Sequence, residues 1–393
     1  MPPQTLIHWT EDEQPRSARW RSERAAPPPA RVVLADDALS ADAAYRLACE
    51  GTAMLWRGDF HNARLLLQAL ARRAERLPRR KSRSGAVAVG DSAPGATFHR
   101  YRQGQSQRSR VLAQVLIGLD GEYGIPLRRA PDHRLACTQA WGATDGEPSV
   151  VSLRELLGVV SAYEWRKKGV PVAALGAAPD NRIHPHYGVF SPLRGEYVEL
   201  VAGTPFPAGA EELAFDIGTG SGVLAAVLAR RGVRHVLATD SDPRALACAQ
   251  ENLARLALTT QVQVLAVDLF PPAPDDRAAL VVCNPPWLPA RAGSAIERAV
   301  YDEDSRMLRG FLARLAAHLR PGGEGWLILS DLAEHLGLRT RAELLEWMAA
   351  GGLQVLGRIE TRPAPPTAAD ASDPLHAARS AEVTSLWRLG AHT

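Results

Sequence analysis

The second half of the chain alternates short apolar runs with longer stretches in which apolar residues recur every three or four positions. The runs predict buried strands and the longer stretches predict amphipathic helices, a pattern typical of an α/β unit with a parallel sheet. The predicted strands are 211–216, 234–239, 261–267, 279–283, 325–330, 353–360 and 383–389, and the predicted helices are 194–202, 223–231, 304–319 and 341–350.

The first half of the chain shows weaker periodicity. Residues 1–30 are rich in Pro, Arg and Ala and predict disorder, whereas 31–168 predict a second, mainly helical domain for substrate recognition. Within it, 40–76 predict two helices joined by a turn at Gly58-Asp59. The proline- and glycine-spaced stretch 169–183 is interpreted as the linker to a catalytic domain over 184–393.

Composition narrows the class of protein. A length of 393 residues suits two domains, and a net charge of +3 from 46 basic and 43 acidic residues argues against massive electrostatic binding. There is no signal peptide and no apolar run long enough to span a membrane, so a cytoplasmic protein is expected. The four cysteines are scattered, which fits a reducing compartment; they are Cys49, Cys137, Cys248 and Cys283.

A glycine loop follows the first strand of the α/β half. Asp216 ends that strand, and Gly218, Gly220 and Gly222 are followed by Val223. The third glycine of a dinucleotide-binding loop is therefore missing, which favours a ligand without a pyrophosphate and disfavours a nicotinamide oxidoreductase. The complete segment is Asp216, Ile217, Gly218, Thr219, Gly220, Ser221 and Gly222.

Further candidate residues stand where later strands end. Asp240 is placed to accept hydrogen bonds from ribose hydroxyls, and Asp268-Leu269 suit an adenine amino group beside an apolar wall. The fourth strand runs into Asn284-Pro285-Pro286-Trp287. Because the carboxyl ends of parallel strands share one edge of a sheet, we expect these residues to converge on one cleft.

From about residue 184 to the end, the chain resembles class I S-adenosylmethionine-dependent methyltransferases. Within them it is similar to the amino- and amide-methylating branch, which includes release-factor glutamine methyltransferases and adenine-N6 or guanine-N2 nucleic-acid methyltransferases. The resemblance rests on the glycine loop, Asp240, Asp268-Leu269 and Asn284 to Trp287. It implies a Rossmann-like seven-stranded sheet with an antiparallel edge and S-adenosyl-L-methionine as cofactor. Trp287 departs from the Tyr or Phe that is commoner there.

The resemblance implies a pincer for a planar NH₂ group. The Asn284 side-chain oxygen and the Pro285 carbonyl would accept its two hydrogens and turn the nitrogen lone pair toward the sulfonium methyl group. Pro285 and Pro286 fix the loop, and Trp287 offers an aromatic face for the acceptor or, alternatively, belongs to the core.

The resemblance also implies that the segment upstream of the glycine loop closes over the methionine end of the cofactor, which makes Tyr187, Phe190 and Pro192 candidates for that wall. His184 and His186 have no carboxylate or cysteine at ligand spacing nearby in sequence, so no metal site is predicted.

Two regions leave alternatives open. The basic stretches Arg72–Arg83 and His99–Arg110, the second of which includes Tyr101, fit either nucleic-acid contact or a solvated loop. The polar insertion 361–380 fits either a substrate cover or a disordered loop.

The sequence therefore predicts an N-methyltransferase for a macromolecule, either a protein glutamine or asparagine or a nucleic-acid base. A methyltransferase of a small amine or amide metabolite stays open, as does a non-catalytic cofactor-binding module that binds RNA.

Overall fold

The computed structural model describes residues 5–75, 95–272, 277–362 and 373–392 and divides the chain into two units, Met1–Glu164 and Trp165–Thr393. Both units contain a β-sheet flanked by helices.

The first unit is built on a six-stranded mixed sheet. Its strands are β1 (Leu6–Glu11), β2 (Gln14–Arg21), β3 (Arg31–Ala35), β4 (Thr52–Trp56), β5 (Val115–Leu119) and β6 (Ser149–Ser152), in the spatial order β1-β2-β6-β5-β4-β3. The helices are α1 (Ala41–Cys49), α2 (Phe60–Glu75), α3 (Ala96–Leu112), α4 (Arg134–Trp141) and α5 (Leu153–Lys168), and the division between the units falls within α5.

The prediction of a mainly helical first domain therefore missed a six-stranded sheet. Met54 and Leu55, assigned from sequence to a helix, lie on β4, where all five residues are buried. A strand buried on both faces shows a continuous apolar run rather than alternation, so periodicity does not separate it from a buried helix. The predicted turn at Gly58-Asp59 does end β4, but it connects a strand to α2.

The prediction of disorder over residues 1–30 was also wrong for the described part. β1 pairs with β2 in antiparallel register, and β2 pairs with β6 in parallel, with Arg19 opposite Ser149. The second pairing joins residues far apart in sequence, which the local composition does not reveal.

The stretch 169–183 folds into the second unit instead of forming a free linker. β7 (Val170–Pro171) and β8 (Arg182–Ile183) form a short antiparallel pair. Leu175 and Ile183 are buried in the core of that unit.

The second unit contains the predicted seven-stranded sheet. Its strands are β9 (Leu213–Ile217), β10 (His235–Asp240), β11 (Val262–Ala266), β12 (Ala278–Cys283), β13 (Leu319–Ser330), β14 (Leu353–Thr361) and β15 (Thr384–Ala391). Its helices are α6 (Glu196–Gly203), α7 (Val223–Arg230), α8 (Pro243–Arg255), α9 (Ala295–Arg298), α10 (Arg306–His318), α11 (Leu332–His335), α12 (Arg341–Ala350) and α13 (His376–Ala381).

The order of strands in this sheet creates a ligand cleft. It runs β11-β10-β9-β12-β13-β15-β14, with the first five strands parallel and β15 antiparallel to both of its neighbours, which confirms the antiparallel edge. The chain reverses its direction of travel across the sheet between β9 and β12. In open α/β sheets, ligands bind at such a switch point, outside the carboxyl ends of the strands.

Helices cover both faces of the sheet. Apolar residues of α6, α7 and α8 form one core with one sheet face, and residues of α10 and α12 form a second core with the other. On α10, the predicted stripe of Leu308, Phe311, Leu312 and Leu315 is fully buried. In the described part of the chain, no helix combines the length and apolarity needed to cross a membrane.

Candidate active site

The glycine loop lies at the switch point, between β9 and α7. Gly218, Gly220 and Gly222 all have positive φ angles, of 73°, 55° and 80°. A side chain on Gly222 would bring its Cβ to 3.1 Å from Ala249 Cα on α8, so the loop packs tightly there. Glycine is the residue that adopts this backbone without a steric penalty.

Asp216 lies beneath this loop. Its side chain is 1% exposed, and its Oδ2 accepts hydrogen bonds from Thr219 Oγ1 at 2.6 Å and from Ala225 N at 3.0 Å. Burial raises the pKa of Asp216 to about 6, and the two hydrogen bonds limit the rise. The sequence suggested a cofactor contact at Asp216, whereas these bonds hold the loop from inside.

Asp240 lies at the end of the neighbouring strand, β10, and both of its carboxylate oxygens accept hydrogen bonds from backbone N–H groups. One accepts from Gly220 N at 3.0 Å and the other from Asp242 N at 2.9 Å. Burial raises the pKa of Asp240. Each carboxylate oxygen retains a further lone pair, so the residue can still accept from a ligand hydroxyl.

The loop after β11 brings Asp268 and Leu269 to the same edge of the sheet. The Asp268 side chain is 68% exposed, and the backbone oxygen of Leu269 accepts from Thr239 Oγ1 at 2.6 Å. The Leu269 side chain lies against Gly310 of α10. The polar and apolar groups expected from the sequence thus stand side by side.

The segment upstream of the glycine loop is fixed by Asn252, which sequence reasoning missed. Asn252 is 1% exposed on α8, and its Oδ1 accepts from His184 N at 2.8 Å. Its Nδ2 donates to Ser221 O at 3.0 Å and to His184 O at 3.3 Å. The signal in the sequence was an asparagine within the apolar face of a helix, where a buried amide needs partners.

Of the candidate wall residues in that segment, Phe190 packs against the core. The Phe190 and Tyr197 ring centroids are 6.2 Å apart, Pro192 is buried, and the Tyr187 ring lies 6.0 Å from the guanidinium carbon of Arg244. Phe190 and Tyr187 are half-buried, so both also present surface outside the core.

Asn284 follows β12, directly beside the strand that carries the glycine loop. Cys283 of β12 is paired with Ile217 of β9, so Asn284 and Gly218 leave adjacent parallel strands at the same level. Pro285 is buried and Pro286 is half-buried. The structure thus brings the two segments of greatest chemical interest together.

Trp287 contacts the loop in a way that the sequence did not indicate. Its indole Nε1 donates a hydrogen bond to Asn284 Oδ1 at 2.9 Å, and the Arg194 guanidinium carbon lies 5.1 Å from its ring centroid. The ring is half-buried and packs against both cores of the unit, so Trp287 belongs to the core with part of its ring. One face of the ring is covered by Arg194.

Asp302 joins the Asn284–Trp287 loop to α10 and was also missed. Its backbone N donates to Leu288 O at 2.9 Å, and its Oδ2 accepts from Met307 N at 2.9 Å and Leu308 N at 3.1 Å. Burial raises the pKa of Asp302. An acidic residue ahead of an amphipathic stretch is a helix-start signal, and here it also fixes the loop.

The remaining predicted regions fall partly outside the described residues. In the basic stretches, Arg72, Arg73 and 99–110 are described and 76–83 are not. For the insertion 361–380, residues 363–372 lie outside the described part, and α13 occupies His376–Ala381. Among the described residues, no group of three or more His, Cys, Asp or Glu side chains is arranged to hold a metal ion.

The family model described as "Methyltransferase small domain" matches residues 180–344. A release factor glutamine methyltransferase from Moorella thermoacetica is 30% identical over 246 residues, which cover 59% of this chain and 82% of that protein. The chain belongs to the S-adenosylmethionine-dependent methyltransferases.

Other relatives of this methyltransferase match over shorter stretches. The release factor glutamine methyltransferase of Cereibacter sphaeroides is 35% identical over 149 residues, so the chain spans 50% of that relative's length and 37% of its own. The ribosomal protein L11 methyltransferase of Clostridium perfringens is 41% identical over 75 residues, 19% of this chain and 23% of the relative. A solved L11 methylase from Lactobacillus delbrueckii matches with a TM-score of 0.36 and 16% identity over 56% of this chain and 90% of that one, a likeness too slight to support an argument.

The residues present fit S-adenosylmethionine as the methyl donor. The methyltransferase has glycine at positions where the backbone turns left-handed and packs closely, and an acidic side chain at the end of the next strand. The first feature lets backbone N–H groups approach a ligand, and the second suits the hydroxyls of a ribose.

Proposed function

We propose that this methyltransferase transfers the methyl group of S-adenosylmethionine to the side-chain amide nitrogen of a glutamine in a protein. The single observation that carries the proposal is the position of Asn284 beside Gly218, on adjacent parallel strands. An acceptor amide held by Asn284 would lie next to the donor loop, as in-line transfer requires.

S-adenosylmethionine supplies an electrophilic methyl group on a sulfonium. The carbon–sulfur bond breaks as the nitrogen–carbon bond forms, the electron pair of the broken bond stays on sulfur, and one amide proton leaves to solvent. We assign to Asn284 Oδ1 and the Pro285 carbonyl the task of accepting the acceptor's two N–H groups. This contact orients the nitrogen lone pair and stabilises the positive charge that develops on nitrogen.

Three observations favour a protein over a nucleic acid as the acceptor. Two of the relatives described above are named as release factor glutamine methyltransferases, and another is named for a ribosomal protein. In the described part of the basic stretches, Arg73 and Arg108 are paired with Asp42 at 2.8 Å and Glu75 at 2.5 Å. The net charge of +3 is also small for a protein that binds phosphates broadly.

The experiment is methyl transfer from radiolabelled S-adenosylmethionine to three acceptors offered separately: a recombinant bacterial release factor, ribosomal protein L11 and total RNA. We expect protease-sensitive label in the release factor, located by mass spectrometry on a glutamine amide. The matched control is the same release factor with that glutamine changed to alanine, which should take no label.

Two outcomes would overturn the proposal. Nuclease-sensitive label in RNA would favour a nucleic-acid base, and changing Arg79, Arg80 and Lys81 together to Ala should then flatten the salt dependence of activity. If none of the three acceptors took label but a low-mass fraction of cell lysate, offered as a fourth acceptor, did, a small amine or amide would be favoured.

A further inference from the structure

Trp287 occupies a position that determines how the Asn284 side chain is turned. Its indole nitrogen can only donate a hydrogen bond, and it donates to Asn284 Oδ1 at 2.9 Å. A carboxamide turned by half a rotation would place its NH₂ against the indole N–H, donor against donor. The indole therefore selects the orientation with the oxygen on its side, while the second lone pair of that oxygen stays free for another donor.

Arg194 in turn holds the indole ring. Its guanidinium carbon lies 5.1 Å from the Trp287 centroid, within the range of a cation–π contact. The guanidinium is itself anchored, with Nε donating to Glu196 Oε1 at 2.6 Å and Nη2 donating to Glu382 Oε1 at 3.1 Å. Glu382 is 5% exposed and also accepts from Ser330 Oγ at 2.7 Å, so the anchor is buried.

We propose that Trp287 and Arg194 are positioning residues that act through Asn284. Arg194 fixes the plane of the indole, and the indole N–H fixes the carboxamide oxygen in the orientation that receives the acceptor. This inference rests on the proposed function, because it assigns Asn284 to the acceptor. The tryptophan supplies an orienting donor, which a phenylalanine at this position lacks.

The size of the effect follows from one neutral hydrogen bond. Removing the indole N–H while keeping an aromatic ring should lower kcat by about 3- to 10-fold, as expected for an interaction of this type. The affinity for S-adenosylhomocysteine should not change, because the indole acts on the acceptor side of Asn284.

The first experiment needs no acceptor, so its result is independent of the proposed function. In the ¹⁵N-labelled full chain, the indole resonance of Trp287 is identified by its loss in Trp287→Phe. We expect this resonance to exchange slowly with water and to move upfield in Asn284→Ala and in Arg194→Met. An indole signal that is unchanged in Asn284→Ala, or that exchanges with water as fast as an exposed tryptophan, would overturn the proposal.

The second experiment measures methyl transfer to the acceptor that the wild-type protein labels. Trp287→Phe should lower kcat and leave KM within about two-fold, the mark of an interaction that matters in the transition state. Arg194→Met should act in the same direction, and Arg194→Lys, which keeps the cation, should recover part of the loss.

Arg341 offers a matched control for Arg194. It lies 5.1 Å from the Trp387 centroid, its Nε donates to Glu334 at 2.8 Å, and its side chain has the same 34% exposure. Arg341→Met should leave kcat unchanged. If Arg341→Met lost as much kcat as Arg194→Met, the loss would reflect a general loss of stability. If Trp287→Phe raised KM and kept a normal kcat, Trp287 would be only a stacking surface. Either result refutes the positioning role.

Discussion

The change Asn252→Ala tests how the donor loop is held together. The buried Asn252 side chain makes three hydrogen bonds to backbone groups, two with His184 and one with Ser221. Alanine at this position removes all three, and of the three partner atoms His184 O still has a contact from Cys248 Sγ, at 3.6 Å. Ser221 belongs to the glycine loop and His184 begins the upstream segment, so one change removes the contacts between α8 and two segments that we propose surround the donor.

The magnitude can be worked from these contacts. A neutral hydrogen bond contributes about 0.5–1.5 kcal/mol, and a buried polar group left unpaired costs about 1–3 kcal/mol. Because the three bonds share one side chain and water can enter the space that alanine leaves, we expect a total loss of roughly 2–4 kcal/mol in the free energy of unfolding. S-adenosylhomocysteine affinity should fall by about ten-fold or more, since binding would have to reorder the loop.

Urea unfolding gives the stability change, and isothermal titration calorimetry gives the affinity. The control is Gln250→Ala, which removes an exposed amide from the same helix. If Asn252→Ala matched Gln250→Ala in both measurements, the idea that Asn252 couples the segment to the loop would be refuted.

Four further changes address the site. Asp240→Ala should weaken S-adenosylhomocysteine binding by roughly 1.5–3 kcal/mol, as for a charged hydrogen bond. Burial raises the pKa of Asp240, and a carboxylate accepts hydrogen bonds best when it is ionised, so the affinity of the wild-type protein should fall as the pH drops through that pKa. Calorimetry at several pH values measures this, and an affinity that does not change with pH would contradict it. Asn284→Ala should abolish methyl transfer in the radiolabel assay while leaving S-adenosylhomocysteine affinity within a few-fold; near-normal turnover would exclude the pincer. Gly222→Ala places a side chain on a residue with φ of 80° and should lower stability in thermal unfolding by at least about 1 kcal/mol, whereas an unchanged melting temperature would show that the loop tolerates it. Burial raises the pKa of Asp216 from 3.8 to about 6, so between pH 3.8 and about 6 the folded chain binds more protons than the unfolded chain, and the contribution of Asp216 to stability falls as the pH rises. Asp216→Asn should therefore flatten the dependence of the free energy of unfolding on pH in this range. An unaltered slope would mean that another group titrates there.

The sequence determined most of the second unit because its signals are local. Apolar runs of strand length, helix periodicity and the glycine loop specify β9 to α7 within a few residues, and the predicted helix 341–350 coincides with α12. The carboxyl ends of parallel strands converge by geometry alone, so the sequence also placed Asp240 and Asn284 at one edge.

One predicted boundary in this unit was displaced. The predicted strand covers 325–330, whereas β13 begins at Leu319 and includes Pro321-Gly322-Gly323. A side chain on Gly323 would lie 3.0–3.1 Å from the carbonyl oxygens of Arg320, Ala278 and Ala279. Gly323 therefore permits a close approach of backbones within the strand. From the neighbouring residues alone, a glycine with this role cannot be distinguished from a glycine in a turn.

Only the tertiary structure decided the first unit and the finer geometry of the site. β2 pairs with β6 across more than a hundred positions, and β4 is buried on both faces, so the neighbouring residues of these strands do not show a strand pattern. The hydrogen bond from Trp287 to Asn284 and those from Asn252 likewise depend on which elements pack together. Backbone preference and periodicity depend on neighbouring residues and can be predicted from the sequence. The partner of a buried polar group depends on which elements pack around it, and only the tertiary structure shows that.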